Sequence, residues 1–156
     1  MREMQVAGFG QYAHGNQPIQ HMIYLYDWTD EPHKTQYWVR EAMDRLYKPE
    51  PDGYCGDEDN GQTSAWFVWS ALGMYPVCPA SGEYALGTPL FEKAAISFPD
   101  GKRLDVLASG VSSKCRYVRR VVHDGKTVQG CFVKFADLRS GGELTFEMCA
   151  AGDSPL

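Results

Sequence analysis

Apolar residues recur at helical spacing through the first half of the chain and at strand spacing through the second. Ile19, Met22, Ile23 and Tyr26 follow Pro18, a residue suited to a helix's first turn. Pro32 opens a second predicted helix, with Val39, Ala42, Met43 and Leu46 on one face and Lys34, Arg40, Glu41, Asp44 and Arg45 around the rest. It stops before Pro49 and Pro51. A third helix is predicted from about Thr63 to Tyr75. Asp59 and Gln62 ahead of it read as a capping box, and Ala65-Trp66-Phe67-Val68-Trp69 leaves it no polar face. Such a helix needs protein on all sides, more than two companion helices provide. The chain therefore reads as the tail of a larger helical domain or as a piece that packs on another subunit.

The period changes near residue 78. Strands are predicted at Glu83–Leu86, Ala94–Phe98, Leu104–Ala108, Tyr117–Val122, Cys131–Phe135 and Leu144–Met148. Asp100-Gly101 and Asp124-Gly125 between them are hairpin signals. The expected class is α+β: helices over 1–78, then an antiparallel β unit over 79–156 packed on them.

The 156 residues suffice for one core or for part of a larger one. A net charge of −5 without a basic cluster argues against nucleic acid as a partner; Lys114, Arg116, Arg119 and Arg120 read as the solvated face of a strand. No run of apolar residues is long enough to span a membrane, and Met1–Gln5 lacks a signal peptide's apolar core, so a secreted form would carry its signal on a longer precursor. The five cysteines, Cys55, Cys78, Cys115, Cys131 and Cys149, form no metal or redox motif and read as free, mainly buried thiols.

Two polar segments stand out, each leading into an apolar helix. Gly56-Asp57-Glu58-Asp59-Asn60-Gly61 sets three acids in a turn. As an EF-hand it fails, because its fifth position is Gly61 and no glutamate stands at the twelfth. It can be a solvated helix N-terminus, where acids favour the dipole. It can equally be a catalytic site, with one carboxylate activating water while its neighbour tunes it or binds sugar. His14-Gly15-Asn16-Gln17 with His21 can be a helix cap and a core histidine, or an oxygen-rich patch for calcium or sugar hydroxyls. The tryptophans read as core, with Trp66, nearest the acids, the candidate for stacking on a sugar.

Gly10-Gln11-Tyr12-Ala13-His14-Gly15-Asn16-Gln17-Pro18 resembles the Gly-Gln-Tyr-x-His-Gly-Asn-Glu-Pro block of glycoside hydrolase family 92, calcium-dependent exo-α-mannosidases. Further blocks resemble that family in the same order: Tyr24-Leu25-Tyr26, Lys34-Thr35-Gln36, Pro51-Asp52-Gly53, Gly56 to Trp66, Ser70 to Val77, Gly87 to Phe91 and Gly141 to Met148. The resemblance implies the last helices of an (α/α)6 toroid followed by β-strands, with upstream domains of the same polypeptide completing the enzyme. It implies inverting hydrolysis of terminal α-mannosides on mannose-rich glycans, as in N-glycan degradation, and a secreted or periplasmic location.

By the same resemblance Asp57 and Asp59 supply the general base. Asn16 and Gln17 are sources of Ca2+ ligands, and His14, Gly15, His21 and Trp66 border the sugar. Two departures stand out. Gln17 replaces the usual glutamate, and Ile19-Gln20-His21 replaces Ser-His-His. The first keeps a carbonyl oxygen and loses a charge. Loss of an acid is tolerable with a good leaving group, which leaves open a mannosyl-phosphodiester hydrolase. A mannoside-binding relative without catalysis is the other alternative.

Overall fold

The structure is a computed structural model that describes residues 8–151 and 156. The outer ends of both expected regions lie outside the described residues. Two 3-10 turns, Gln17–Ile19 and Met22–Trp28, occupy the segment expected to be the first helix. Pro18 does open a turn, but the hydrogen bonds from Ile19 to Asn16 O and from Gln20 to Gln17 O span three residues, and no α-helix develops. Helix α1 runs Pro32–Leu46, and Tyr47 leaves it in an extended conformation. Helix α2 runs Gln62–Ala71 and ends before Tyr75, because Gly73 turns left-handed and leads into strand β1, Met74–Tyr75. A Cβ on Gly73 would lie 2.8 Å from the Phe146 ring.

Val39, Ala42, Met43 and Leu46 bury the expected face of α1. Arg40, expected on the solvated side, is also buried. Its guanidinium donates to Pro89 O at 3.2 Å and to Asp44 at 3.1 Å. The reason is that β-sheet residues cover the flank that Arg40 shares with Gln36 one turn earlier, where Gln36 accepts from Val118 N at 2.9 Å. Arg116, taken for a solvated strand residue, instead pairs with Glu41 of α1 at 2.6 Å and lies over the Tyr37 ring.

Strands β2 (Glu83–Leu86), β3 (Lys93–Ser97), β4 (Arg103–Leu107), β5 (Tyr117–His123), β6 (Lys126–Thr127), β7 (Phe132–Lys134) and β8 (Gly142–Cys149) follow, with a short helix α3, Phe135–Arg139, between β7 and β8. They form two sheets, ordered β1-β2-β7 and β3-β4-β8-β5-β6. Pairing is antiparallel except between β4 and β8, which run parallel in a register that sets Leu104 against Gly142. Alternation marks which side chains face inward but not the partner strand, and the long path from β4 to β8 allows either sense. Both Asp-Gly hairpins form, joining β3 to β4 and β5 to β6.

One apolar cluster gathers the helices around Tyr24, Val39 and Trp66, and a second gathers the sheets around Leu104, Val118, Leu144 and Phe146. Trp69 packs against both. None of the five cysteines forms a disulfide; Cys149 is buried, Cys55, Cys115 and Cys131 are half-buried and Cys78 is exposed. No helix among the described residues is long and apolar enough to cross a membrane.

Candidate functional site

The two polar segments meet backbone to backbone. A Cβ on Gly56 would stand 2.7 Å from Gly15 Cα, and one on Gly15 would stand 3.0 Å from Gly56 Cα. A real Cβ does not stand 2.7 Å from backbone, and 3.0 Å is tighter than nearly all such contacts, so glycine at 56 above all permits the approach. Asn16 and Asp57 are each the next residue after a touching glycine. Asn16, Gln17, Asp57 and Asp59 are all exposed, so the elbows form an open rim rather than an enclosed cavity.

The acidic elbow is arranged around Glu58. Its carboxylate accepts from Gly61 N at 2.5 Å, Ser64 Oγ at 2.6 Å and Ser64 N at 3.4 Å. Those bonds, with that from the Ser64 hydroxyl the strongest, hold its pKa below the usual glutamate range. Glu58 therefore caps α2, in place of the expected Asp59. The reason is conformational: Asp59, Asn60 and Gly61 all adopt left-handed φ values, 57°, 55° and 99°, whereas a side chain that caps a helix usually stands on extended backbone. Successive left-handed residues are costly outside glycine, and such strain concentrates at functional sites. With Glu58 engaged in the cap, Asp57 and Asp59 are left facing solvent.

His14 and Trp66 lie beneath this rim. His14 is buried, with Nδ1 2.6 Å from the Tyr12 hydroxyl and Nε2 2.7 Å from the Tyr47 hydroxyl. Burial lowers its pKa to about 4, so the ring is neutral at physiological pH. Burial likewise raises the pKa of both phenols and keeps them protonated. One hydroxyl donates to the imidazole and the other accepts from it. Trp66, the expected stacking surface, is wholly buried. Its N–H donates to Gln20 O at 3.1 Å, Tyr47 stacks on it at 5.9 Å and the His14 ring meets it at 4.3 Å. The place expected to border the sugar is thus held by a packed aromatic layer that supports the rim. His21 is half-buried at the start of the second 3-10 turn.

Sequence reasoning missed Tyr12, Tyr47, Thr63 and Gln20. Tyr12 belongs to the first family-like block, which was a usable signal. Thr63 lies in the Gly56-to-Trp66 block, but nothing local marks its bond to Gln20, 43 residues away, and Tyr47 carries no signal.

The rim can hold a hard cation as far as its donors go. Asn16 and Gln17 present amide oxygens with no hydrogen-bond partner among the described residues, and two carboxylates stand on the adjoining elbow. Among the described residues no three His, Cys, Asp or Glu side chains gather as a metal cluster.

A family model described as the glycosyl hydrolase family 92 catalytic domain matches residues 1–150. Among solved structures, the family 92 inverting mannosidase BT2199 from Bacteroides thetaiotaomicron VPI-5482 is similar at 50% identity and a TM-score of 0.84, covering 94% of this chain and 20% of that one. The α-mannosidase BT3965 from Bacteroides thetaiotaomicron is similar at 38% identity and a TM-score of 0.85, over 89% of this chain and 19% of that one. The family 92 glycosyl hydrolase ccman5 is similar at 26% identity and a TM-score of 0.82, over 98% of this chain and 25% of that one. Comparison with curated protein sequences gives no match. The chain spans about a fifth of the length of the first of these structures. With a family model over 150 of its residues and half of its aligned positions shared with BT2199, the chain belongs to glycosyl hydrolase family 92, within the catalytic domain.

Proposed function

We propose that the chain is the C-terminal part of a calcium-dependent, inverting exo-α-mannosidase that removes terminal mannose from mannose-rich glycans outside the cytoplasm, its other domains lying upstream in the same polypeptide. The observation that carries this reading is the Gly15–Gly56 contact, which sets the Asn16-Gln17 elbow beside the Asp57–Asp59 elbow.

Asp59, with Asp57 beside it, takes the proton of a water molecule as that water attacks the anomeric carbon on the face opposite the leaving group. The bond from the anomeric carbon to the leaving oxygen breaks, a general acid returns a proton to that oxygen, and configuration inverts. Inverting pairs stand roughly 6.5–9.5 Å apart to leave room for water, so two aspartates separated by one residue act on the base side and the acid comes from the upstream chain. Asn16 and Gln17 would hold calcium through their amide oxygens. Once bound, the ion supplies a charge that engages sugar hydroxyls and favours a distorted ring. His14, neutral and buried, keeps the support under Gly15 free of charge.

Asp59→Asn in the intact polypeptide is expected to cut turnover of an aryl α-mannoside by about 10²–10⁴-fold, the range of general acid–base assistance, with an unchanged melting temperature. Near-wild-type turnover would refute the assignment. The Gln17 and Gln20 departures favour a second reading, a relative that binds mannosides without cleaving them. Calorimetry with an α-mannoside and calcium on the intact polypeptide, with free mannose assayed alongside, separates the two: binding without release of mannose supports that second reading, and release of mannose supports the hydrolase.

A further inference from the structure

We infer that Gln20 is a positioning residue that locks the amide elbow to the aspartate elbow; the inference rests on the mannosidase reading above. Gln20 is fully buried, and every polar atom of its side chain is engaged. Nε2 donates to His14 O at 3.1 Å and to Thr63 Oγ1 at 3.2 Å, and Oε1 accepts from Gln62 Nε2 at 3.3 Å. Thr63 Oγ1 in turn donates to Asp57 O at 3.0 Å. The Thr63 hydroxyl has one proton, spent on Asp57, so it must receive from Gln20. Polarity therefore runs one way, from the Gln20 amide through Thr63 to the acidic elbow and directly to the carbonyl before Gly15. Gln62 also donates to the Tyr75 hydroxyl at 2.9 Å, which anchors the acceptor end in the core.

The Gly15–Gly56 contact brings the elbows together but offers no side chains to fix how they slide past each other. Gln20 supplies that restraint. Its two N–H groups reach one carbonyl oxygen and one hydroxyl at the same time, which a glutamate of identical shape cannot do. A histidine, the residue usual here in the family blocks, has a single N–H on each ring nitrogen and cannot aim two donors from one atom. Because the hydrogen bonds of the Gln20 side chain go to His14, Thr63 and Gln62, its effect on the reaction is through the placement of Asp57, Asp59, Asn16 and Gln17. A displacement of about 1 Å in such groups costs on the order of 10²-fold in rate.

The test compares Gln20→Glu, Gln20→Met and Thr63→Val in the intact polypeptide, with kcat and KM on an aryl α-mannoside and melting temperature as readouts. Gln20→Glu is expected to lose roughly 10- to 100-fold in kcat at neutral pH with KM within about 3-fold of wild type. Its kcat relative to wild type should recover as pH falls, because the buried carboxyl gains a proton and one donor. Gln20→Met should show the loss without the recovery. Thr63→Val should lose kcat in the same direction, and the Gln20→Glu, Thr63→Val double variant little more than the worse single one. If Gln20→Glu does not fold, Thr63→Val and Gln20→Met carry the same expectation. A kcat within twofold of wild type overturns the inference alone, as does a loss that follows melting temperature and raises KM, provided the wild type turns over. A wild type without turnover overturns both the inference and the mannosidase reading.

Discussion

Two buried ionisable residues pull the pH dependence of stability in opposite directions. His14 has its pKa lowered from 6.5 to about 4 by burial. As pH falls through that interval the unfolded chain takes up a proton that the folded chain refuses, so stability drops with acidification by about 3 kcal/mol in all. Asp27 is the reverse. Its carboxyl is buried, both oxygens lack a hydrogen-bond partner, and burial raises its pKa from 3.8 to about 8, opposed by the Thr35 hydroxyl nearby. Between those values the folded chain keeps a proton that the unfolded chain has lost, so stability falls as pH rises, by a total on the order of 5 kcal/mol. The two slopes cancel between about pH 4 and 6.5, and above that only the Asp27 slope continues, to about pH 8. Asp27→Asn in the intact polypeptide is therefore expected to keep its urea midpoint level from pH 6.5 to 8 while the wild type declines, and to lose stability below pH 6.5 where the wild type is level. Parallel curves for the two proteins would contradict the buried, protonated Asp27.

At the scale of elements, the site depends on how two loops enter two helices. Gly56→Ala puts a methyl group 2.7 Å from Gly15 Cα and 2.9 Å from Gly15 O, and backbone cannot swing aside as a flexible side chain can. Parting the elbows is expected to cost about 1–3 kcal/mol of stability and roughly 10²-fold in kcat. The β-sheet circular dichroism signal should be unchanged; full activity in this variant would mean the elbows need not touch. Much of this arrangement was legible in the sequence. Pro32 and the Val39-Ala42-Met43-Leu46 stripe gave α1, and the turn signals gave six strands within a residue or two at most ends. What failed were features decided by distant partners. Asp59 looked like the cap because sequence does not reveal three successive left-handed residues, and Arg40 looked solvated because nothing local announces the Pro89 carbonyl. Gln20 read as a mere departure from a family block until Thr63, 43 residues away, supplied its role.

For the molecule as a whole, five of the seven large apolar side chains left exposed among the described residues lie on the helical half, Phe91 and Phe135 being the other two. Val68 on α2 is 56% exposed, and Met22, Leu25 and Trp28 on the second 3-10 turn are 47%, 44% and 57% exposed. Beside them two apolar grooves open, about 330 Å³ between Phe9, Met22, Leu25 and Trp38 and about 400 Å³ between Tyr47, Tyr54, Phe67 and Val68. The β-sheet half surrounds its own core of Leu104, Val106, Val118, Leu144 and Phe146 and leaves Phe91 and Phe135 as its exposed large apolar side chains. Exposed patches of this kind on neighbouring elements mark surfaces meant to be covered. A chain spanning a fifth of a relative's length, with most of its exposed apolar side chains on the helical half, matches helices seated from elsewhere in the same polypeptide. The 156 residues expressed alone are therefore expected to bind a hydrophobic dye and to associate in size-exclusion chromatography, whereas the intact polypeptide does neither. Replacing Val68 and Leu25 with glutamine should reduce dye binding by the isolated chain and destabilise the intact polypeptide, because the same two positions face water in one and helices in the other. Equal tolerance of both substitutions in the two proteins would show that the helical faces are ordinary surface, and the toroid reading would lose its support.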